Sequence, residues 1–218
     1  MDRPIWNETF MGVCEIMSIR STCCKLQTGS IIVRNYNIIS TGYNGVPHNL
    51  PHCHDIWFEF YKFITAKNNG KVKILNGTLY TKIESESESE SESESEIEIE
   101  KQVLSMYIDF SNNIQFNEND ILKYSTFDEF LKGIVFLKLH HYWSLKNENH
   151  AEMNAICQAG NSLQGTTIYT VYSPCIQCAK VIASAGISKV YYKYLYTTDN
   201  NKSIEFLQNC GVSVKYYK

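Results

Sequence analysis

HAEMNAICQAGNSLQGTTIYTVYSPCIQCAKVIASAG, His150 to Gly186, reads as helix, strand, helix. The apolar spacing predicts a helix over Ala151–Gly160, ended by Gly160-Asn161, where glycine opens the left-handed turn that stops it. Thr166–Tyr172 (TTIYTVY) is β-branched and aromatic, as a buried strand requires. Cys175–Ala185 (CIQCAKVIASA) reads as a second helix, closed by Gly186. Downstream, Lys189–Tyr194 reads as a strand, Ser203–Cys210 as a helix closed by Gly211, and Val212–Tyr217 as a last strand. Upstream, SIIVRNYNIISTGYNG holds two β-rich runs, Ser30–Arg34 and Ile38–Tyr43, parted by Asn35-Tyr36-Asn37 in a hairpin pattern. Residues 5–20 read as an amphipathic helix with Trp6, Phe10, Val13 and Met17 at three-to-four spacing, and Asn7 or Thr9 available to cap it. Helices and strands alternating through short loops imply a three-layer α/β domain.

At 218 residues and 44% hydrophobic, the chain can bury a core, as one domain with an insertion. The opening MDRPIWNETF is charged within its first three residues and has no apolar run behind it. A secretory signal is therefore not expected, and no stretch reaches the ~18 apolar residues of a membrane span. A cytoplasmic compartment is the expectation, and there the eight cysteines serve as thiols or metal ligands rather than disulfides.

The net charge of −3 conceals an uneven distribution. ESESESESESESEIEIE, residues 84–100, carries nine of the 23 acidic residues, leaving 20 basic against 14 acidic elsewhere, a balance of +6. That is too mild for a nucleic-acid-binding stripe but suits small anionic substrates such as nucleotides. From about Tyr61 to Leu139 the periodicity weakens, and the insertion is placed at 62–139. Its Ser-Glu repeat, highly charged and self-repelling, is expected to be disordered, and its serines, flanked by acids, are candidate kinase targets. Thr126–Leu139 looks helical.

The motifs within the opening stretch carry the chemistry. His150 and Glu152 stand two residues apart at a helix start. Cys175 and Cys178 form a Cys-x-x-Cys directly after Pro174, in a first turn where free N–H groups favour thiolates. One imidazole and two thiolates leave a tetrahedral zinc one open position, which is the arrangement of catalysis; a fourth side chain would close the site for a structural role. Residues i and i+2 do not share a helix face, so Glu152 need not ligate. It can instead take a proton from a water whose pKa zinc lowers to roughly 7. H-x-E followed by P-C-x-x-C is the signature of zinc-dependent nucleobase deaminases.

HAEMNAI (150–156), TIYTVYSPCIQCAKVIASAGISKVYY (167–192), RSTCC (20–24) and IISTGYNGVP (38–47) together resemble the deoxycytidylate (dCMP) deaminases of the cytidine-deaminase superfamily. The resemblance covers roughly residues 6–60 and 140–218, and the double Cys23-Cys24 resembles the phage branch. It implies a three-layer α/β/α cytidine-deaminase-like fold with a central mixed sheet of about five strands. It also implies hydrolysis of dCMP to dUMP and ammonia, supplying thymidylate synthesis. By the same resemblance His150, Cys175 and Cys178 hold zinc. Glu152 is the catalytic proton shuttle, serving N3 and then the leaving amine. Asn44 contacts the sugar, while Arg20 and Tyr196 fall where phosphate or ribose contacts are expected. Gly42, Tyr43, Asn44 and Gly45 match a nucleotide effector segment, activated by dCTP with Mg2+ and inhibited by dTTP. Relatives form homo-oligomers, often hexamers; neither a membrane nor a stable nucleic-acid partner is expected.

The phage-type relatives carry a second, structural zinc, and the matching positions are Cys23, Cys53, His140 and Glu148. All six histidines fall at 48/52/54, 140/141 and 150. His52, Cys53 and His54 are read in one loop, with His140-His141 just before the catalytic helix; His52, His54, His141 and Cys24 are alternative ligands. The chain departs from the family where Gln27-Thr28-Gly29-Ser30 replaces an apolar-Gly-Ala entry to the first strand, and at Asn149, where an apolar residue is common. Richness in Asn, Ile, Lys and Tyr is what an A+T-rich genome produces; with the phage-like features it suggests a viral or similarly A+T-rich source, and a host cytoplasm if viral. The competing readings are a deaminase of tRNA adenosine or free cytidine, or a zinc-stabilised module without activity. GYNG and Arg20 argue against the first two, and Glu152 against the last.

Overall fold

The computed structural model describes residues 3–67, 73–75, 78–80, 129, 131–196 and 201–218. The Ser-Glu repeat and most of the expected insertion lie outside the described residues. The chain divides into two compact units, one of Met1–Gly45 with Glu148–Lys218, the other of Val46–Asn147. No helix among the described residues is long and apolar enough to cross a membrane.

The first unit holds α1 (Trp6–Ser18), β1 (Gly29–Arg34) and β2 (Asn37–Tyr43). With β5 (Thr167–Tyr172), β6 (Lys189–Tyr194) and β7 (Ser213–Tyr216), β1 and β2 form a five-stranded sheet of order β2-β1-β5-β6-β7. β1 pairs antiparallel with both β2 and β5, whereas β5, β6 and β7 run parallel. The mixed sheet follows from the connections. A two-residue turn can return β1 to β2, but parallel neighbours need a crossover helix. α5 (Ile176–Ser184) and α6 (Lys202–Asn209) supply those crossovers.

Alternation along the strands sends side chains into two cores. Ile32, Ile168 and Val190 point to one face and pack with Ala155 of α4 (Ala151–Gln158), Ile182 of α5 and Leu207 of α6. Ile31, Val33, Tyr169 and Val171 face the other way, against Phe10, Met11 and Cys14 of α1. These are the expected three layers.

The β1–β2 turn is tighter than the sequence suggests. Asn35 and Tyr36 both take positive φ, 48° and 62°. This is the type I′ geometry that matches the strand twist, so Asn37 already belongs to β2. α1 is N-capped by Ile5 and has no side-chain cap. Thr9 instead bonds back to the Ile5 carbonyl, and Asn7 accepts the Tyr169 hydroxyl at 2.7 Å. The buried stripe of α1 runs through Phe10, Met11 and Cys14, while Trp6 is 46% exposed and stacks on Phe10.

In the second unit the expected loop at His52-Cys53-His54 is the start of a helix, α2 (Cys53–Lys67). Ile56 and Phe60, one turn apart, are buried and drive it. His140-His141, ahead of the catalytic helix, lies inside α3 (Phe136–Asn147). α3 follows a π-turn at Leu131–Val135 that is broken at Gly133. Trp57 of α2 meets Phe136 of α3 edge-on, with ring centroids 4.4 Å apart. A short hairpin, β3 (Lys73–Leu75) with β4 (Thr78–Tyr80), completes the described part.

Candidate metal centre and active site

Two helix starts build the site. β5 ends at Tyr172, and Ser173-Pro174 carry the chain to Cys175, the N-cap of α5, with extended backbone (φ −71°, ψ 169°). Cys178 sits one turn on, buried. His150 is the N-cap of α4 (φ −77°, ψ 157°). None of these caps uses its side chain on its own helix, so imidazole and thiol are left for one another. His150 Nδ1 lies 3.4 Å from Cys175 Sγ and 3.3 Å from Cys178 Sγ.

Those separations fit a shared zinc. Tetrahedral Zn–N and Zn–S bonds place a nitrogen and a sulfur about 3.6 Å apart. All three ligand atoms lie within 4.8 Å of one another. His150 is exposed, Cys175 half-buried and Cys178 buried, so the group opens to solvent on the imidazole side. The electrostatics favour a cation. A hydrogen bond from Cys178, aided by His150, lowers the Cys175 thiol to about 4. Cys175 in turn raises His150 to about 9. Bonding to Cys175 and burial push Cys178 up, so it keeps its proton.

Glu152 is 5% exposed, in the first turn of α4. It accepts a hydrogen bond from Cys178 Sγ at 3.6 Å. Burial pushes its carboxyl above the ordinary range, and His150 only partly offsets that. A buried carboxyl that binds a proton readily, beside three metal-capable side chains, can carry a proton between water and a bound base.

The remaining expected residues are placed less uniformly. Asn44 is buried; its Oδ1 accepts from the Thr28 N–H and its Nδ2 donates to the Leu26 carbonyl, both at 2.8 Å. Its carboxamide thus keeps one N–H and one lone pair for a ligand. Gly42 and Gly45 are buried with Tyr43 half-buried between them, and Gly45 pairs with Asn149 through two backbone bonds of 3.1 and 2.9 Å. The Tyr196 N–H donates to Ser173 Oγ at 2.8 Å. This links Tyr196 to the turn that carries Cys175. Arg20 is exposed just beyond α1, its N–H on the Met17 carbonyl.

Three residues that the sequence reading passed over hold this framework. Ser173, buried, bonds Tyr196 through its hydroxyl and the Tyr194 carbonyl through its N–H. Ser40 Oγ donates to the Ala155 carbonyl, and Asn154 Nδ2 donates to the Tyr43 carbonyl at 2.8 Å. Asn154 was signalled only as a polar residue between Met153 and Ala155, and Ser40, beside Thr41, by nothing in the sequence.

Each unit also contains a pair from the expected second set. In the first, Cys23 Sγ and a Glu148 carboxylate oxygen come within 4.8 Å. In the second, Cys53 Sγ and a His140 ring nitrogen do the same. Cys23, Cys53 and His140 are buried, whereas the alternatives Cys24, His52, His54 and His141 are exposed.

A family model for the cytidine and deoxycytidylate deaminase zinc-binding region matches residues 97–194. The deoxycytidylate deaminases of Enterobacteria phages T2 and T4 are each 30% identical over 209 residues, 94% of this chain, and 89% and 86% of their own lengths. That of Saccharomyces cerevisiae is 26% identical over 99% of this chain and 46% of its own. In fold, the chain is similar to the dCMP deaminase of cyanophage S-TIM5, solved with dCMP and dUMP, at a TM-score of 0.54 and 22% identity, with both chains wholly covered. Sequence shared at the phage level over nearly the whole length settles the kinship: the chain belongs to the deoxycytidylate deaminase family.

Proposed function

We propose that the chain catalyses hydrolytic deamination of dCMP, giving dUMP and ammonia. The observation that carries this is the buried Glu152 carboxyl, 3.6 Å from Cys178 in a cluster with His150 and Cys175. The names of the phage relatives supply the substrate. His150, Cys175 and Cys178 would hold zinc, whose Lewis acidity makes water a nucleophile near neutral pH. Glu152 takes the proton of the attacking water and delivers it to N3 of the cytosine ring; it then takes the proton of the hydroxyl added at C4 and gives it to the amine, which leaves as ammonia as the C4–N bond breaks and the C4 carbonyl forms. Its burial keeps the proton within reach of the base rather than of bulk solvent. Asn44 offers its remaining N–H to the sugar, with Arg20 and Tyr196 as phosphate or ribose contacts.

The finer reading extends from the sequence. Gly42, Tyr43, Asn44 and Gly45 are proposed to meet a dNTP effector with Mg2+, with dCTP activating and dTTP inhibiting. The product would supply thymidylate synthesis in a host cytoplasm, from a homo-oligomer. Cys23 with Glu148 and Cys53 with His140 are proposed as ligands of a second, structural zinc. The organisation proposed is a single deaminase domain, 1–218, interrupted at about 62–139.

The test is ultraviolet-monitored deamination of dCMP, CMP, deoxycytidine and cytidine, each with and without dCTP plus magnesium. Turnover confined to dCMP and raised by dCTP supports substrate and effector together. Turnover of cytidine instead moves the substrate assignment, and a folded, zinc-loaded protein inert toward all four removes it.

A further inference from the structure

We infer that Asn154 is a positioning residue that sets the direction of the Glu152 carboxylate by fastening α4 to the end of β2. The inference rests on the reading of Glu152 as proton carrier.

The first turn of α4 lies directly against β2. Gly42 faces it without a side chain: a Cβ there would collide with the Ala151 carbonyl oxygen and the Ala155 nitrogen. The contact is fixed at three points. Before the helix, Asn149 and Gly45 exchange two backbone hydrogen bonds. One turn in, Ser40 Oγ holds the Ala155 carbonyl. Between them, Asn154 Nδ2 donates 2.8 Å to the carbonyl of Tyr43, the last residue of β2.

Geometry gives the Asn154 bond a distinct task. Residues two apart on a helix point roughly 200° from one another. Asn154 therefore grips β2 on one side of α4 while Glu152 projects from the other, toward Cys178. A helix held on one side by a rigid strand has the opposite side aimed for it. Without that bond the first turn can roll, and at a radius of about 5–6 Å a roll of about 10° carries the carboxylate about 1 Å. Displacements of that size cost on the order of 10² in rate. His150 is held differently. It precedes the helix, with extended backbone, next to the Asn149–Gly45 bonds. Loss of Asn154 should therefore spare the metal ligand and disturb the proton carrier.

The experiment compares the full-length protein with Asn154→Asp, Asn154→Ala and Asn154→Gln. Aspartate keeps the size but turns an acceptor toward an acceptor; glutamine restores the donor on a longer arm. Zinc content, kcat and KM for dCMP, and amide exchange at Gly45, Asn149 and Asn154 are measured for each. The expected result for Asp and Ala is unchanged zinc content and KM, kcat lower by ~10–100-fold, and exchange at Asn154 at least ~10-fold faster. Gln should recover most of kcat. Asp and Ala variants with parental kcat overturn the inference, as does loss of zinc in step with kcat, which would make Asn154 a support of the metal. Exchange does not depend on turnover: unchanged protection at Asn154 overturns the inference even if the parent proves inert toward dCMP, an outcome that by itself removes only the proposed function.

Discussion

α4 and α5 begin alike and are used differently. Each starts with a metal-capable N-cap in extended backbone and none of its own N–H groups capped by that side chain. Yet α5 contributes two thiols, one of them buried, and takes its place from the strand it follows. α4 contributes one exposed imidazole and one buried carboxyl, and is fastened sideways to β2 through Ser40, Gly42 and Asn154. Metal holding needs atoms at a fixed distance, which two adjacent helix starts provide. Proton transfer needs a direction as well, and direction is what the lateral fastening adds.

The widest way to test that division is to remove the part assigned to holding. Cys178→Ser should lose the zinc of this cluster and bring deamination to background; metal analysis and turnover on the same preparation check both. Glu152→Gln should separate the two tasks, keeping zinc but losing at least ~10² in kcat. Comparable turnover in that variant would break the assignment of direction to α4.

Zinc uptake should itself depend on pH. Ligation needs thiolates and a neutral imidazole. Cys175 has already lost its proton above about 4, whereas His150 keeps one up to about 9 and Cys178 is pushed up too. Binding near neutrality should therefore release two protons, and affinity should rise ~10² per pH unit below about 8. Competition titrations at three pH values measure the slope, and a flat profile would contradict the imidazolium–thiolate arrangement.

Smaller effects concern the backbone. Gly42→Ala should push α4 off β2 and cost about 1–3 kcal/mol, lowering the melting temperature and kcat together. Gly211→Ala, at φ 79° with open space around it, should cost only about 1 kcal/mol and leave kcat untouched. Equal effects at the two glycines would mean that the α4–β2 contact has no bearing on activity.

The first unit was almost wholly legible. Its central strands are short β-branched and aromatic runs buried almost throughout, and Gly160, Gly186 and Gly211 end helices with positive φ as their positions suggested. The His, Glu and two Cys of the motif meet because helix starts bring them there. α2 was not legible, and α3 only in part: the helical reading of 126–139 takes in the turn at Leu131–Val135 and Phe136–Leu139 but misses the rest of α3 to Asn147. Phe58 on α2, with Leu137, Tyr142 and Leu145 on α3, is apolar yet exposed, which blurs the stripe that Ile56 with Phe60, and Leu139 with Trp143, would otherwise draw. Side-chain bonds to distant backbone, such as Asn154 on Tyr43, leave no periodic trace. Nor did the sequence foretell that Asn7 would serve Tyr169 instead of capping α1, since that choice depends on what the fold brings near.

Gly42 has a counterpart. Its β1 neighbour Ser30 is preceded by Gly29, where a Cβ would collide with the Cys14 carbonyl of α1. The two glycines face opposite sides of the hairpin and admit a helix from each. At these two glycines helix backbone lies directly on the sheet, near where the GYNG segment and the catalytic helix both emerge. A corner without side-chain padding has little give, so thermal motion should concentrate toward the far edge at β7, and the last protons to exchange on heating should belong to β1.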